Sequence, residues 1–204
     1  MNSTLTDPKR TAIAKKLADI RVFQNLLIAN EQQLIVECND SEICEGFQKM
    51  LAADRKNLGV VETLITAYGI QANPKETVQE MVRQSQDMME DSELTLYEKV
   101  GSHELLKHAQ VMSGLIVHKA SQVAGSDISQ AITPLNTVNV ENRAHQKQLQ
   151  EMLIVLGTRG LTGQDADRGV GSRVQDTMAT VSGIERNNDL QKIEWRMLRN
   201  FTKT

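Results

Sequence analysis

At 204 residues, with 40% hydrophobic and 24% charged side chains, the chain is long enough for one domain with a real core, or a domain plus an appendage. A net charge of −3 argues against a nucleic-acid binder held by bulk electrostatics, and no run of ~18 apolar residues is present to make a membrane span. Aromatics at 3% and only three prolines, in a background of Leu, Ile, Val, Ala, Met, Gln, Glu and Lys, give the composition of a mostly helical protein.

The start, MNSTLTDPKRTA, lacks the apolar core of a signal peptide, so a cytoplasmic protein is expected. The first helix opens at Asp7–Pro8, a good N-cap followed by a first-turn proline. It runs to about Cys38 with the seam Ile13, Leu17, Ile20, Gln24, Leu27, Glu31, Leu34. Asn39–Asp40–Ser41 is a turn and a cap. Cys38 and Cys44 flank it, and in a reducing cytosol they read as two free thiols. A lone C-x5-C pair is a poor zinc signal. The second helix runs to Tyr68, where Gly69 stops it. Its seam is Ile43, Phe47, Met50, Asp54, Asn57/Leu58, Val61, Leu64 and Tyr68, so the short turn makes an antiparallel pair. Asn73-Pro74-Lys75-Glu76 then opens a shorter helix to about Met89, expected to cross an end of the bundle. Its Met81, Met88 and Met89 are core filler or a soft binding groove.

Ser92–Gly125 is the longest uninterrupted helical stretch and carries His103, His108 and His118. Apolar residues at Leu94, Tyr97, Leu105, Met112, Leu115, Ile116 and Val123 predict its buried face. Glu104 and His108 fall within that face, and His103 and His118 fall on the flank. After the connector SDISQAIT, Thr133–Pro134 starts a helix that ends at Gly157, with the seam Leu135, Val138, Asn142, His145, Leu149, Met152 and Leu156. Glu141 lies one turn before His145. These elements make one domain, residues 1–157. Residues 158–204 read as a glycine-containing arm and an amphipathic C-terminal helix, with Ile193, Met197, Leu198 and Phe201 on one side. Its basic residues are mixed with Glu185, Asp189 and Glu194, which favours packing on protein over lying on a membrane.

Four long helices with short loops and one longer crossover predict a four-helix bundle. Each seam carries a polar interruption: Gln24 and Glu31, then Asp54, then Glu104 and His108, then Glu141 and His145. Ferritin-like bundles bind two iron or manganese ions in such a layer, because carboxylates neutralise two cations while imidazoles complete the coordination. The segments NEQQLIVECNDSEICEGFQKMLAADRKNLGVVETLITAYGI, LYEKVGSHELLKHAQVMSGLIVHKASQVAG and NTVNVENRAHQKQLQEMLIVLG resemble the ferritin-like helices of a cyanobacterial family whose members carry the label "hemerythrin HHE cation-binding subfamily". More distantly they resemble small bacterial stress-associated ferritin-like proteins. The resemblance covers roughly residues 8 to 165 and implies an all-α fold: a ferritin-like antiparallel four-helix bundle, a short crossover helix and a C-terminal helical arm. Longer members of that family add a hemerythrin-type module. No histidine follows Gly157 here, so a hemerythrin site cannot form.

The chain departs from the diiron pattern. Gln24 stands where Glu is wanted, and Asp54-Arg55-Lys56-Asn57 stands for Glu-x-x-His. Glu141 and His145 are four apart instead of three. Glu31, Asp54, Glu104, His108, Glu141 and His145 remain the candidate metal ligands. Buried carboxylates among them need a partner: a histidine, an arginine such as Arg143, water or a metal. Two readings follow. One is a non-enzymatic, stress-associated or binding protein with a degenerate metal site and no cofactor, acting as a cytoplasmic homodimer. The other is an iron- or manganese-dependent oxidoreductase or iron-handling protein using those six residues. An adaptor role, with a protein partner held through 158–204, is a third. There is no phosphate-binding glycine loop and no nucleophile elbow, and no nucleic-acid partner is expected.

Overall fold

The computed structural model describes residues 8–166. The Asp7 cap, the arm beyond residue 166 and its amphipathic helix lie outside the described residues. Helix α1 spans Pro8–Glu37 and α2 spans Ser41–Tyr68. Between them Asp40 accepts hydrogen bonds from the backbone N–H groups of Glu42 and Ile43, at 2.9 and 3.1 Å, and so starts α2. Gly69 ends α2 in the left-handed region at φ 73, where a side chain would be strained. The tight turn brings Cys38 and Cys44 to a Cα–Cα distance of 5.7 Å, and they form a disulfide. The expectation of free thiols is therefore corrected: folding α2 back on α1 places the two sulfurs together.

Helix α3 spans Glu76–Glu90. It lies along α1 and α4 instead of crossing an end. Val78 packs with Phe23, Leu26, Leu27 and Leu106 in one apolar cluster, and Asn30 donates to Ser85 at 3.3 Å. Its start is pinned where the Lys75 backbone N–H donates to buried Asp19, at 2.9 Å. Helix α4 spans Leu96–Ala124 and starts later than Ser92, because Thr95 and Glu98 form a reciprocal capping box. The connector folds as α5, Ser126–Ile132, and α6 spans Leu135–Thr162. α6 passes through Gly157 instead of stopping there. A Cβ at Gly157 would sit 3.0 Å from the Tyr97 ring, so this glycine admits a neighbour, and Gly163 at φ 70 is the cap.

Helix α4 packs on α1 and α6, and α2 packs on α1 and α6, which closes a four-helix bundle. Two apolar clusters fill its ends. One gathers Leu17, Ile20, Val61, Leu64, Ile132 and Leu135, and the other Leu34, Phe47, Met50, Val100, Leu149 and Met152. Arg159 ties α6 to the α1–α2 turn through Asp40, at 2.5 Å. Among the described residues no helix is long and apolar enough to cross a membrane.

The inward face of α4 is not the one its large apolar residues predict. Val100, His103, Leu106, Lys107, Gln110, Val111, Gly114, Val117 and Ser121 are buried, while Leu105, Met112, Ile116 and Val123 are exposed. Small residues decide this. A Cβ at Gly114 would fall 1.7 Å from the Asn139 side-chain oxygen, so the approach of α4 to α6 at this point requires a glycine.

A lysine-centred polar layer as candidate functional site

Between the two apolar clusters each of the four long helices contributes polar side chains. α1 supplies Gln24 and Glu31, α2 supplies Asp54 and Asn57, α4 supplies His103, Lys107 and Gln110, and α6 supplies Asn142 and His145. Glu31, Asp54, His103, Lys107 and Asn142 are each fully shielded from solvent. A bare ion at such a site costs several kcal/mol, so the arrangement of partners decides whether the layer is tolerable.

The ammonium of Lys107 is the hub. It donates to Asp54 Oδ2, and it donates to Asn142 Oδ1 at 3.2 Å. Glu31 Oε1 lies 3.3 Å from the same nitrogen. His103 Nε2 is 3.3 Å from that Glu31 oxygen, and His145 Nδ1 is 3.3 Å from Asp54 Oδ1. Asn57 donates to Asp54 Oδ1 at 3.4 Å. A second tier lies beside the hub: Gln110 donates to Gln24 at 3.0 Å and to the Ile20 carbonyl at 3.1 Å, and Gln24 donates to the Asp54 carbonyl at 3.3 Å. Among the described residues, Glu31 Oε2, His103 Nδ1, Gln110 Oε1 and Asn142 Nδ2 have no hydrogen-bond partner, and His145 Nδ1 has only its ion-pair approach to Asp54.

The charges divide unevenly. Burial pushes the Glu31 carboxyl up to about 8, with Lys107 opposing and Asp54 reinforcing the rise. Burial also acts to raise Asp54, but His145 and Lys107 outweigh it and hold this carboxyl far below its ordinary range. Burial, helped by the Lys107 charge, lowers His103 to about 3. Asp54 is thus the carboxylate of the centre, while Glu31 is shifted toward its protonated form and His103 toward its neutral form.

Of the six candidate ligands, Glu31, Asp54 and His145 converge on this layer. The other three do not. Glu104 accepts from Gln146 and Gln150, each at 2.9 Å, on the α4–α6 flank. His108 is exposed beside Gln146, and Glu141 is partly exposed while Asn142 takes the inward position. The expectation that Glu104 and His108 face the core is corrected by the rotation of α4. Sequence reasoning missed Lys107 and misplaced His103. Their signal was the spacing His103, Lys107, Gln110, which puts a second polar stripe on one side of a helix. Asp54–Asn57 and Asn142–His145 are each three residues apart, so each pair sits one turn apart on one helix face.

A metal would need several anionic or imidazole donors around one empty point. No group of three or more His, Cys, Asp or Glu side chains placed to hold a metal ion occurs among the described residues. The donor set here surrounds an ammonium, and two of its members are amides. It does not fit a pair of irons.

No protein-family model matches the chain. A protein of Nostoc sp. (strain PCC 7120 / SAG 25.82 / UTEX 2576) named DNA nickase is 56% identical over 183 residues, which is 90% of this chain and 52% of that protein. The chain therefore spans about half the length of that relative. Among solved structures, the Escherichia coli stress protein YciF aligns with a TM-score of 0.62 at 11% identity, over 73% of this chain and 96% of YciF. YcfI, a putative structural protein from Rhodopseudomonas palustris, aligns with a TM-score of 0.57 at 12% identity, over 74% and 98%. None of these similarities carries the hemerythrin label. At such identities the solved structures speak for the fold, and the fold is the YciF-type, ferritin-like helical bundle.

Proposed function

We propose that the chain is a non-enzymatic ferritin-like binding module, in which Lys107 supplies internally the positive charge that metal ions supply in diiron relatives of the fold. The observation that carries this is the Lys107 ammonium among Asp54, Glu31 and Asn142 at the centre of the bundle. A charged lysine there repels a divalent cation and uses up the Asp54 carboxylate. On this reading the layer fixes helix register, and function resides on the surface. Stress association, a cytoplasmic location, a homodimer and a partner bound through 158–204 belong to the same reading. Elemental analysis after anaerobic iron or manganese loading tests it. The expected result is no bound metal in the wild type and a metal-dependent rise in Tm in Lys107→Glu, which restores a carboxylate in the layer. Near-stoichiometric metal in the wild type, lost in His145→Ala, would overturn the reading in favour of the oxidoreductase alternative.

The identity with a protein named DNA nickase favours a second reading, in which the chain contributes to an activity on DNA. Conversion of supercoiled plasmid to open circles, with magnesium or manganese present, is the assay. Nicking that survives purification and is lost in a Lys107→Met or His145→Ala variant would place that activity in this layer. Intact plasmid at enzyme excess would remove the reading for this chain.

A further inference from the structure

Leu105, Met112, Ile116 and Val123 form a stripe on the outer face of α4, with exposures of 68, 44, 55 and 82%. Their spacing is seven, four, seven, the rhythm of a coiled-coil seam about 27 Å long. Monomeric proteins rarely leave such a row of large apolar side chains in water.

The spacing is also a palindrome. Met112 and Ile116 lie two residues either side of Gly114, and Leu105 and Val123 lie nine either side. Such symmetry is what an isologous contact needs, because each residue must meet its counterpart across a twofold axis. An antiparallel pairing of two α4 helices about Gly114 sets Met112 against the partner's Ile116 and Leu105 against the partner's Val123.

A second feature fits the same axis. Beside the Ile116–Ala124 end of α4 lies an apolar groove against the start of α1, with a volume of about 510 Å³. Its floor includes Ile13, Ile116, Val117 and Val123, and Lys9, Lys15, Lys16 and Lys75 stand around it. On the same flank α3 starts beside the groove at Lys75 and runs toward the other end of α4, where Met88 Sδ is 3.9 Å from Ser102 Oγ. Ser102 and Ala120, which lines the groove, are eighteen residues or five helical turns apart and share one azimuth. A twofold perpendicular to α4 in the contact plane exchanges the ends and keeps the flank. It lays the partner's α3 over the groove. That helix presents the half-exposed Met81 and Met88, and its Glu76, Glu80, Asp87 and Glu90 outnumber a single Arg83.

We propose that the outer face of α4 is the interface of a homodimer, with the two α4 helices antiparallel about Gly114 and the acidic, methionine-bearing α3 of each copy seated in the lysine-rimmed groove of the other. This rests on the homodimer reading above and is independent of whether the layer holds metal. Sedimentation equilibrium of the full chain tests it. The wild type should be a dimer. Ile116→Glu and Met112→Glu, which place carboxylates beside the axis, should each give monomers with unchanged helical circular dichroism, because both side chains are exposed. Lys15→Glu with Lys75→Glu should weaken the dimer at least about tenfold, and Glu80→Lys with Asp87→Lys in the same chain should restore it. A monomeric wild type, its stripe then left to a different partner, overturns the homodimer itself. A dimer indifferent to Ile116→Glu and Met112→Glu overturns this interface and leaves the homodimer standing.

Discussion

Replacing Lys107 by methionine removes the ammonium while keeping the length of the side chain. Asp54 then remains fully buried, its Oδ1 held by Asn57 and near His145, and its Oδ2 deprived of its only charged donor. Breaking a buried ion pair from one side costs about 3–5 kcal/mol, because the remaining charge has neither water nor a partner. Asn142 Oδ1 also loses a donor, which adds about 1 kcal/mol. Part of this is returned by relaxation of His145 toward Asp54, so a net loss of about 3 kcal/mol is expected. The second arm is Lys107→Met with Asp54→Leu. Removing both charges together should recover most of the loss, since a buried pair replaced by apolar groups of similar volume is close to neutral. Urea unfolding followed by circular dichroism at constant pH measures both. A single variant that loses less than about 1 kcal/mol would show that Lys107 does not neutralise the layer. A double variant as unstable as the single would show that the cost is lost packing and not unpaired charge.

The same layer sets a pH dependence. Glu31 has a folded pKa raised from 4.5 to about 8, so its favourable contribution is complete below 4.5 and is lost as pH rises toward 8. His103 is lowered from 6.5 to about 3, so its contribution is complete above 6.5 and is lost as pH falls. The two slopes oppose each other between 4.5 and 6.5, which predicts a plateau there and a decline above it of up to about 1.4 kcal/mol per pH unit. Glu31→Gln should abolish the alkaline decline in urea melts, and an unchanged slope would refute the assignment. Gly114→Ala should cost about 1–2 kcal/mol despite the better helix propensity of alanine, because the new Cβ meets the Asn139 side chain. In an Asn139→Ala background the same Gly114→Ala change should instead stabilise, read as a Tm above that of Asn139→Ala alone. Cys38→Ser with Cys44→Ser opens a short loop and should lower stability by about 2 kcal/mol in non-reducing buffer. Wild type treated with reductant should match the double variant in the same melt.

Much of the bundle was readable in the chain itself. Helix ends at Asp40 and Gly69 follow from local capping chemistry that needs no partner, and the seams of α1 and α2 point inward as their apolar spacing requires. Gln24, Glu31 and Asp54 were identified as buried interruptions because a polar residue on an otherwise apolar seam has nowhere else to go. α4 is different. It carries two stripes, one of Leu105, Met112, Ile116 and Val123 and one of Val100, His103, Lys107, Val111 and Val117, and both have helical period. Periodicity counts greasy side chains and so favoured the first.

The choice between those stripes belongs to the tertiary structure. The second stripe turns inward because Glu31 and Asp54 on facing helices stabilise a buried lysine that would be intolerable alone, and because Gly114 lets α6 come close. The same folding step brings Cys38 to Cys44 and exposes the apolar row on α4. Local sequence thus determined where helices begin, end and carry polar breaks. Which face of α4 is the inside was decided by the charges and spaces of the other three long helices, and a one-dimensional spacing rule contains neither.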